Sequence, residues 1–361
     1  MKIGHGRWTR VAATASLVVA MAAAARGDTQ TEVSEADAVN NRGQVTGALC
    51  LPGCTGYVAY VKTRGHVRVL GTLGGFASVG FGINDRGVVV GQADTADRYP
   101  SGDFKSVAFI ADDDGLRSLP PVPGYENSQA FGINNRGDIV GFAYNLDPDT
   151  GAVLPTSHAF LTTPGRRGAL TVKDLGTLGG ATSVARAVNN AGVVVGSARR
   201  AAGGVGAFVY ANGVMTELPG LGGAFTEALA ISDGGDVAGS STYPGAPLSS
   251  RRAVRWRHGV IEDLGTLGGG FARARGINAR GDVVGESVTA DDLFHAFLVR
   301  DGVMEDLGTL GGDTSQALGI NDAGRVVGVA DTGAFNSDFG VPVYRAFVFR
   351  RGEMREIPVL E

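Results

Sequence analysis

The chain repeats one pattern seven times, and this repetition limits the folds open to it more than any single residue does. Each copy has an anchor Asn or Ser, a turn ending in Gly, a Val-Val-Gly-like run, an apolar run, and a segment resembling Leu-Gly-Thr-Leu-Gly-Gly. The anchors recur at steps of 44, 50, 55, 43, 46 and 43 residues, at Asn40, Asn84, Asn134, Asn189, Ser232, Asn278 and Asn321. A period of this size is typical of propellers and solenoids.

The copy at 270–312 shows most clearly what one repeat forms. Short alternating runs at 272–277, 282–285, 295–299 and 303–307 predict four strands. The Asn-Ala-Arg-Gly turn after the first strand has Asn and Gly where a tight turn favours them, and Asp-Gly closes the last hairpin. Each repeat therefore predicts four short antiparallel strands.

Four strands in about 45 residues make one propeller blade. Blades stacked in a ring bury both faces of each sheet and leave only short edges. We therefore predict an all-β chain, a β-propeller of seven four-stranded blades; an open β-repeat array is the alternative. The ring would close if a strand at 354–360 paired with the sheet begun by the N-terminal segment. The prediction is one domain, 31–361, with repeats at 31–75, 76–124, 125–180, 181–223, 224–269, 270–312 and 313–361.

The N-terminal segment has the features of a secretory signal peptide. Lys2, Arg7 and Arg10 precede a short apolar run, and small residues predict cleavage after residue 25, or after residue 27. Removal of 1–27 leaves 28 basic against 36 acidic residues, a net charge of −8. This charge argues against nucleic acid as a partner. We expect a secreted or periplasmic protein with no membrane span after signal removal.

Two cysteines, Cys50 and Cys54, enclose a Pro-Gly turn. In an oxidising compartment such a turn can bring two sulfur atoms together, so we predict a local disulfide. Two thiols supply only half of a tetrahedral zinc site and no His lies nearby, which makes zinc the lesser alternative.

The joint pattern Gly-Ile-Asn-x-x-Gly-x-Val-Val-Gly, His-Ala-Phe and Asp-Leu-Gly-Thr-Leu-Gly-Gly resembles the bacterial extracellular HAF-repeat family. The tripeptide occurs at 158–160 and 295–297, and the pattern covers essentially the whole mature chain. The resemblance implies export and a repeated β-fold, but it brings no catalytic residue or substrate. The His is present in two of the seven repeats, His158 and His295, which counts against a role for it.

No nucleophile elbow, metal triad or paired-carboxylate motif is visible, so we predict that the chain is not an enzyme and that it needs no cofactor. A weak calcium candidate, Asn145, Asp147 and Asp149, has alternating oxygen ligands. It departs from a calcium loop because Gly comes one place late and Thr156 stands where a bidentate Glu belongs. No metal is therefore predicted.

The connections between second and third strands vary most and carry aromatic and acidic residues, which suit sugars or cationic groups. The candidate ligand-binding residues are Tyr99, Tyr144, Tyr243, Phe294 and Tyr344. The leading hypothesis is a monomeric, non-enzymatic protein that binds an extracellular glycan or polymer through its loop-rich propeller face. The alternatives are a protein-interaction scaffold at the cell surface, and a polysaccharide hydrolase or lyase with a site in the central channel.

Overall fold

A computed structural model of the chain describes residues 33–50, 56–336 and 341–358. The predicted signal peptide and Cys54 lie outside these residues, so the signal peptide and the disulfide stay predictions. In the described part, 28 strands form seven antiparallel groups of four; five groups are separate sheets, and the other two are joined by one parallel bridge. The predicted seven-bladed β-propeller is confirmed.

The strands follow the chain in groups of four, and each group is one blade. The first three blades are β1 (Val33–Val39), β2 (Val45–Cys50), β3 (Val58–Thr63) and β4 (His66–Gly71); β5 (Gly74–Ile83), β6 (Val89–Arg98), β7 (Phe104–Asp112) and β8 (Gly115–Ser118); and β9 (Asn127–Ile133), β10 (Ile139–Leu146), β11 (Val153–Pro164) and β12 (Leu170–Asp174). A 3-10 turn, Arg166–Gly168, joins β11 to β12.

The other four blades have the same order. They are β13 (Gly179–Val188), β14 (Val194–Arg200), β15 (Val205–Ala211) and β16 (Val214–Glu217); β17 (Thr226–Ile231), β18 (Val237–Ser241), β19 (Arg252–Arg257) and β20 (Val260–Gly265); β21 (Gly268–Ile277), β22 (Val283–Thr289), β23 (Phe294–Arg300) and β24 (Val303–Asp306); and β25 (Ser315–Ile320), β26 (Val326–Asn336), β27 (Val341–Arg350) and β28 (Glu353–Glu356). Blades 3 and 4 also touch through one parallel pairing, Ser157 with Thr182.

The core lies between neighbouring blades. The third strand of each blade places one large apolar residue there, at 1% exposure or less: Tyr60, Phe109, Phe160, Phe208, Val254, Phe297 and Phe347. Phe208 of blade 4, for example, packs in one cluster with Val140 and Ala159 of blade 3. Burying a side chain of this size stabilises the fold by roughly 1.5 to 3 kcal/mol, which explains why this position stays apolar in every repeat.

The glycine of the Val-Val-Gly run is required by a close approach of two strands. The first strand of each blade has a register shift opposite this glycine, as between Ala274 and Gly276 in blade 6. A Cβ added at Gly285 would overlap the carbonyl oxygen of Arg273. The glycine of the Val-Val-Gly run therefore marks the position where the first and second strands come closest.

The glycine before Ile-Asn marks a second close approach, between the inner strands of adjacent blades. A Cβ at Gly132 would lie 3.1 Å from the Cα atom of Ala187 in the next blade. Only Gly or Ala stands at this position in the seven repeats, at Ala38, Gly82, Gly132, Ala187, Ala230, Gly276 and Gly319. Small residues here let seven inner strands surround a narrow axial channel.

The ring closes without a shared sheet. β28 pairs with β27 inside its own blade, so the idea that a C-terminal strand pairs with the N-terminal sheet is wrong. Blade 7 instead meets blade 1 through apolar packing, in which Val327 and Ala346 contact Ala36 and Val39. Each blade is continuous in sequence, and closure depends on side-chain contacts.

Candidate functional site

The first strand of every blade is the innermost one, and alternate residues on it face the axial channel. The residue just before each anchor lines a cavity at the anchor end of the channel. The register shift of each first strand falls at the residue three places before the anchor, so alternation from the anchor end does not by itself fix its direction. Electrostatic interactions between blades that are not neighbours do: Arg275 of blade 6 acts on Arg186 of blade 4 and on Glu35 and Asp37 of blade 1. The residues three and five places before the anchor therefore face the channel. We name them the middle layer, comprising Asp37, Phe81, Phe131, Arg186, Leu229, Arg275 and Leu318, and the upper layer, comprising Glu35, Val79, Gln129, Val184, Glu227, Arg273 and Gln316.

The cavity at the anchor end has a volume of about 170 Å³, and its polar lining is used to join the blades. The Asn40 Nδ2 atom donates to the carbonyl oxygen of Asn84, 2.8 Å away, and the amide of Asn41 donates to Asp85 Oδ1 at 2.8 Å. The same two bonds recur from blade to blade around the ring, except between blades 5 and 6. These side chains have structural partners already, so we do not place the functional site there.

One part of the middle layer is apolar and aromatic. The rings of Phe81 and Phe131 lie 5.3 Å apart, centroid to centroid, and Phe131 stacks on Phe142 at 5.8 Å. Leu229 and Leu318 hold the equivalent places in blades 5 and 7. The rings of Phe81 and Phe131 form an aromatic wall that can contact the hydrocarbon part of a bound compound.

A buried ion pair joins blades 5 and 6 in the upper layer. Glu227 Oε1 accepts from Arg273 Nε at 2.8 Å and from Ser240 Oγ at 2.8 Å, and Arg251 Nη1 lies 3.3 Å from the same carboxylate. Burial by itself would raise the pKa of Glu227, but Arg273 and Arg251 outweigh that effect and hold the pKa at about 2. Glu227 is therefore ionised, and its charge is matched by the guanidinium groups around it.

Arg275 of the middle layer is also paired. Its Nε atom donates to Glu286 Oε2, and Glu286 is 3% exposed on the neighbouring strand β22. Two of the three arginines of the channel thus have a carboxylate partner at contact distance.

Arg186, the third arginine of the channel, has no such partner. Its Nε atom is buried without a hydrogen-bond acceptor among the described residues, and its Cζ atom lies 4.4 Å from the centroid of the Phe131 ring. Burial first, and then repulsion by Arg273, lower the pKa of Arg186 to about 10. The side chain is still charged at neutral pH, so the channel contains an unpaired cation.

Glu35 and Asp37 face the channel from blade 1, and their carboxyl groups hydrogen-bond to each other. Such a bond requires one proton between them, because two carboxylates repel and neither can donate. Burial raises the pKa of both groups, and the charge of Glu35 raises that of Asp37 further. Asp37 Oδ2 is buried with no partner in the described chain.

The charges of the two layers sum to one uncompensated positive charge. Three arginines face three carboxyl groups, and Glu35 and Asp37 share one proton. Charges partly removed from water attract an ion of opposite sign more strongly than exposed charges do. The net charge of the two layers would therefore attract an anion, and Arg186, beside the ring of Phe131, is the channel arginine without a carboxylate partner among the described residues.

The predicted ligand-binding aromatic residues do not form one surface. Tyr99 and Tyr144 are buried, at 6% and 4% exposure, so they are not available to an external ligand. The Tyr99 hydroxyl is held by Glu126 and Asn127, and the Tyr144 ring stacks on Phe142. Their apolar rings pack beneath the loops. A residue's place in a loop of the sequence does not show whether its side chain is buried in this way.

The other three predicted residues lie on different blades. Tyr243 is 46% exposed and donates to Asp263 Oδ2 at 2.9 Å. Phe294 is 39% exposed and meets the edge of Phe271 at 5.6 Å. Tyr344 is half-buried beside Thr314. Each has its own local contact, and nothing in the described residues joins them.

Two of the three side chains of the calcium candidate already hydrogen-bond within the protein. Asp147 Oδ1 accepts from the amide and the hydroxyl of Thr150, at 2.8 and 2.7 Å, and so closes a local turn. Asn145 instead binds the backbone of Glu126 and Gly124. Among the described residues no group of three or more His, Cys, Asp or Glu side chains is placed to hold a metal ion.

Sequence reasoning missed the charged channel residues, although a signal for them exists. With the repeats aligned on the anchor, the middle-layer position is Phe or Leu in four repeats, and the exceptions are Asp37, Arg186 and Arg275. A charge at a position that is otherwise apolar indicates that the residue has a purpose other than packing. The interactions of Arg275 with Arg186 and with Asp37, which lie on blades that are not its neighbours, then place all three in the channel.

No family model and no curated protein matches the chain, so the resemblance to the HAF-repeat family stays a prediction. Solved structures do match. An acylaminoacyl peptidase from Pyrococcus horikoshii has a TM-score of 0.61 at 10% identity, over 92% of this chain and 53% of that one. A puromycin-hydrolyzing peptidase from Mycobacterium tuberculosis has a TM-score of 0.56 at 12% identity, over 92% and 54%.

The propeller domain of the Trilobed protease from Pyrococcus furiosus matches over 91% of this chain and 98% of its own length, with a TM-score of 0.52 and 10% identity. The chain spans about half the length of the two whole peptidases. At these identities the similarity shows the propeller fold and carries no substrate over to this protein.

This comparison contradicts the prediction of a non-enzymatic protein that binds a glycan through its loop-rich face. The three solved structures named above are two peptidases and the propeller domain of a protease, so the fold gives no ground for excluding an enzyme, and the burial of Tyr99 and Tyr144 removes part of the predicted surface. Within the described residues no helix is long and apolar enough to cross a membrane. Secretion or a periplasmic location stays a prediction.

Proposed function

We propose that the protein binds a small organic acid inside its axial channel, with the carboxylate of the ligand at Arg186. The observation that carries the proposal is the buried Arg186 Nε atom, which lacks an acceptor while Arg273 and Arg275 both have one. A buried donor without an acceptor costs roughly 1 to 3 kcal/mol, and more when it is charged. A ligand carboxylate would remove that cost through a charge-assisted hydrogen bond.

The surroundings of Arg186 favour an acid with an apolar body. The Phe131 ring lies against one face of the guanidinium group, and Phe81 extends the aromatic wall toward blade 1. Arg273 and Arg275 add positive potential at Arg186 without being free to bind, because each has its own carboxylate partner. The site would therefore attract an anion and select one with hydrocarbon or aromatic character.

The test compares acids with their neutral amides. Calorimetric titration of the mature protein in a low-chloride buffer would use benzoate and 3-phenylpropanoate against benzamide and 3-phenylpropanamide. We expect the acids to bind and to raise the melting temperature by mass action, and the amides to do neither. Mass spectrometry of the recovered acid, from the same samples, would measure whether it is converted.

Two arginine variants make the test specific. Arg186→Gln should abolish acid binding, whereas Arg199→Gln should leave it intact, because Arg199 is exposed on the next strand of the same blade. Equal binding of acid and amide, or retention of acid binding in Arg186→Gln, would refute the proposal.

A further inference from the structure

Two side chains of the middle layer, on opposite sides of the ring, each keep one polar atom without a partner among the described residues. Arg186 and Asp37 hold the same position, three residues before the anchor, in blades 4 and 1. Three blades is the largest separation that a ring of seven permits. Each has one buried polar atom with no partner among the described residues, Arg186 Nε and Asp37 Oδ2. One is a donor on a cation, and the other is an acceptor on an acid.

We propose that the Glu35–Asp37 pair is a second subsite that takes an ammonium group, so that the channel ligand is an amino acid or another compound with a positive and a negative end. This inference rests on the proposed function, because it assumes a carboxylate at Arg186. The aromatic wall of Phe81 and Phe131 belongs to blades 2 and 3, which lie between the two ends. The ligand should therefore carry an apolar spacer between its charges.

The proton shared by Glu35 and Asp37 explains how the empty subsite is stable. Without a cation, two carboxylates on one strand face repel, and one proton relieves the repulsion. An ammonium group supplies the same positive charge and three donors, so it can replace that proton. The exchange leaves two carboxylates around one ammonium ion and releases the proton to solvent.

The groups around the pair are compatible with this exchange. Arg275 is the cation acting on both carboxyl groups, and Glu286 holds its Nε atom. Tyr57 and Tyr60 lie on the side of blade 1, and the Tyr60 hydroxyl donates to the backbone oxygen of Glu35 at 3.0 Å. At the same two layers, the inner strands of neighbouring blades 2 and 7 carry Val79, Phe81, Gln316 and Leu318, which have no charge.

The experiment uses two matched series of ligands and the mature protein. The ω-amino acids 4-aminobutanoate, 6-aminohexanoate and 8-aminooctanoate are compared with butanoate, hexanoate and octanoate. The distance between the subsites is fixed, so we expect affinity in the amino-acid series to pass through a maximum, where it exceeds that of the plain acid at least tenfold. In the plain series affinity should only rise with length. Equal affinities at every length would overturn the inference.

Proton release gives a second, independent measurement. Titration in two buffers with different ionisation enthalpies should show up to one proton released per amino acid bound, and none for the plain acid. Asp37→Asn should keep a preference for the amino acid, because Glu35 is then an unshared carboxylate, but it should release no proton. In the double variant Glu35→Gln, Asp37→Asn, the ratio of the two dissociation constants should fall to about 1. A double variant that keeps the preference would overturn the inference.

The outcomes separate the two proposals. If the plain acid binds through Arg186 but the amino acid gains nothing, the second subsite is refuted and the proposed function stands. If neither series binds and Arg186→Gln behaves like the wild type, both are refuted. Circular dichroism of each variant checks that the propeller is folded.

Discussion

The junction between blades 5 and 6 lacks two hydrogen bonds that the other six junctions have, which allows a quantitative test of what closes the ring. Elsewhere the anchor amide donates to the next anchor's carbonyl oxygen, as from Asn189 to Ser232 at 3.2 Å. The residue after the anchor donates its amide to the equivalent side chain of the next blade, as from Ala279 to Asp322 Oδ1 at 2.8 Å. Ser232 is too short for the first bond, and Ala279 has no side-chain oxygen for the second.

The double variant Ser232→Asn, Ala279→Asn should supply both bonds, since Asn occupies these two positions together in repeats 1, 3 and 4. A hydrogen bond adds a net 0.5 to 1.5 kcal/mol or so, which gives about 1 to 3 kcal/mol for two. For a propeller of about 330 residues the unfolding entropy is roughly 0.7 kcal/mol/K, so the melting temperature should rise by about 1.5 to 4 °C.

Differential scanning calorimetry would measure the change, with Asn189→Ser as the reciprocal control. That variant breaks the anchor bond between blades 4 and 5 and should lower stability by about 1 kcal/mol. If Asn189→Ser is destabilising and the double variant brings no gain, then anchor hydrogen bonds do not limit ring stability, and the reasoning is wrong.

Three further predictions concern single positions. Gly285→Ala should destabilise the fold by about 1 to 3 kcal/mol in urea unfolding, because its Cβ would overlap a backbone oxygen, whereas Gly270→Ala, with open space around it, should change stability by less than about 0.5 kcal/mol. Arg186→Met should raise the melting temperature while abolishing acid binding, because it removes a half-buried charge that has no carboxylate partner among the described residues; a fall would show that the charge stabilises the fold, as through its contact with Phe131. The pKa of Glu227, about 2 in the folded state, lies below its usual value, so its contribution of about 3 kcal/mol is present above pH 4.5 and is lost as pH falls toward 2. Glu227→Gln should flatten the stability profile in that pH range, and an unchanged slope would contradict the assignment.

The sequence alone determined the architecture because the repeat expresses local rules. Backbone geometry favours Asn and Gly in the tight turns and β-branched residues in the strands. Packing between a blade and its neighbours requires one apolar residue on the third strand. These rules operate seven times, so a deviation such as Val254 in place of an aromatic residue does not obscure them. The number of strands per blade and of blades followed from the repeat.

Only the tertiary structure decided which side chains meet in the channel and which loop residues are buried. Glu227 and Arg273 are 46 residues apart in sequence but form a 2.8 Å ion pair, because adjacent inner strands bring equivalent repeat positions together. Tyr99 and Tyr144 lie on segments that the sequence places at the surface, yet packing buries both. Ring closure brings residues that are distant in sequence together across the axis. A local sequence pattern therefore cannot predict which charged side chain lacks a partner. The sequence marks Arg186 only as one of three charges at an otherwise apolar position. The folded channel shows that Arg275 has a carboxylate partner and that Arg186 has none among the described residues.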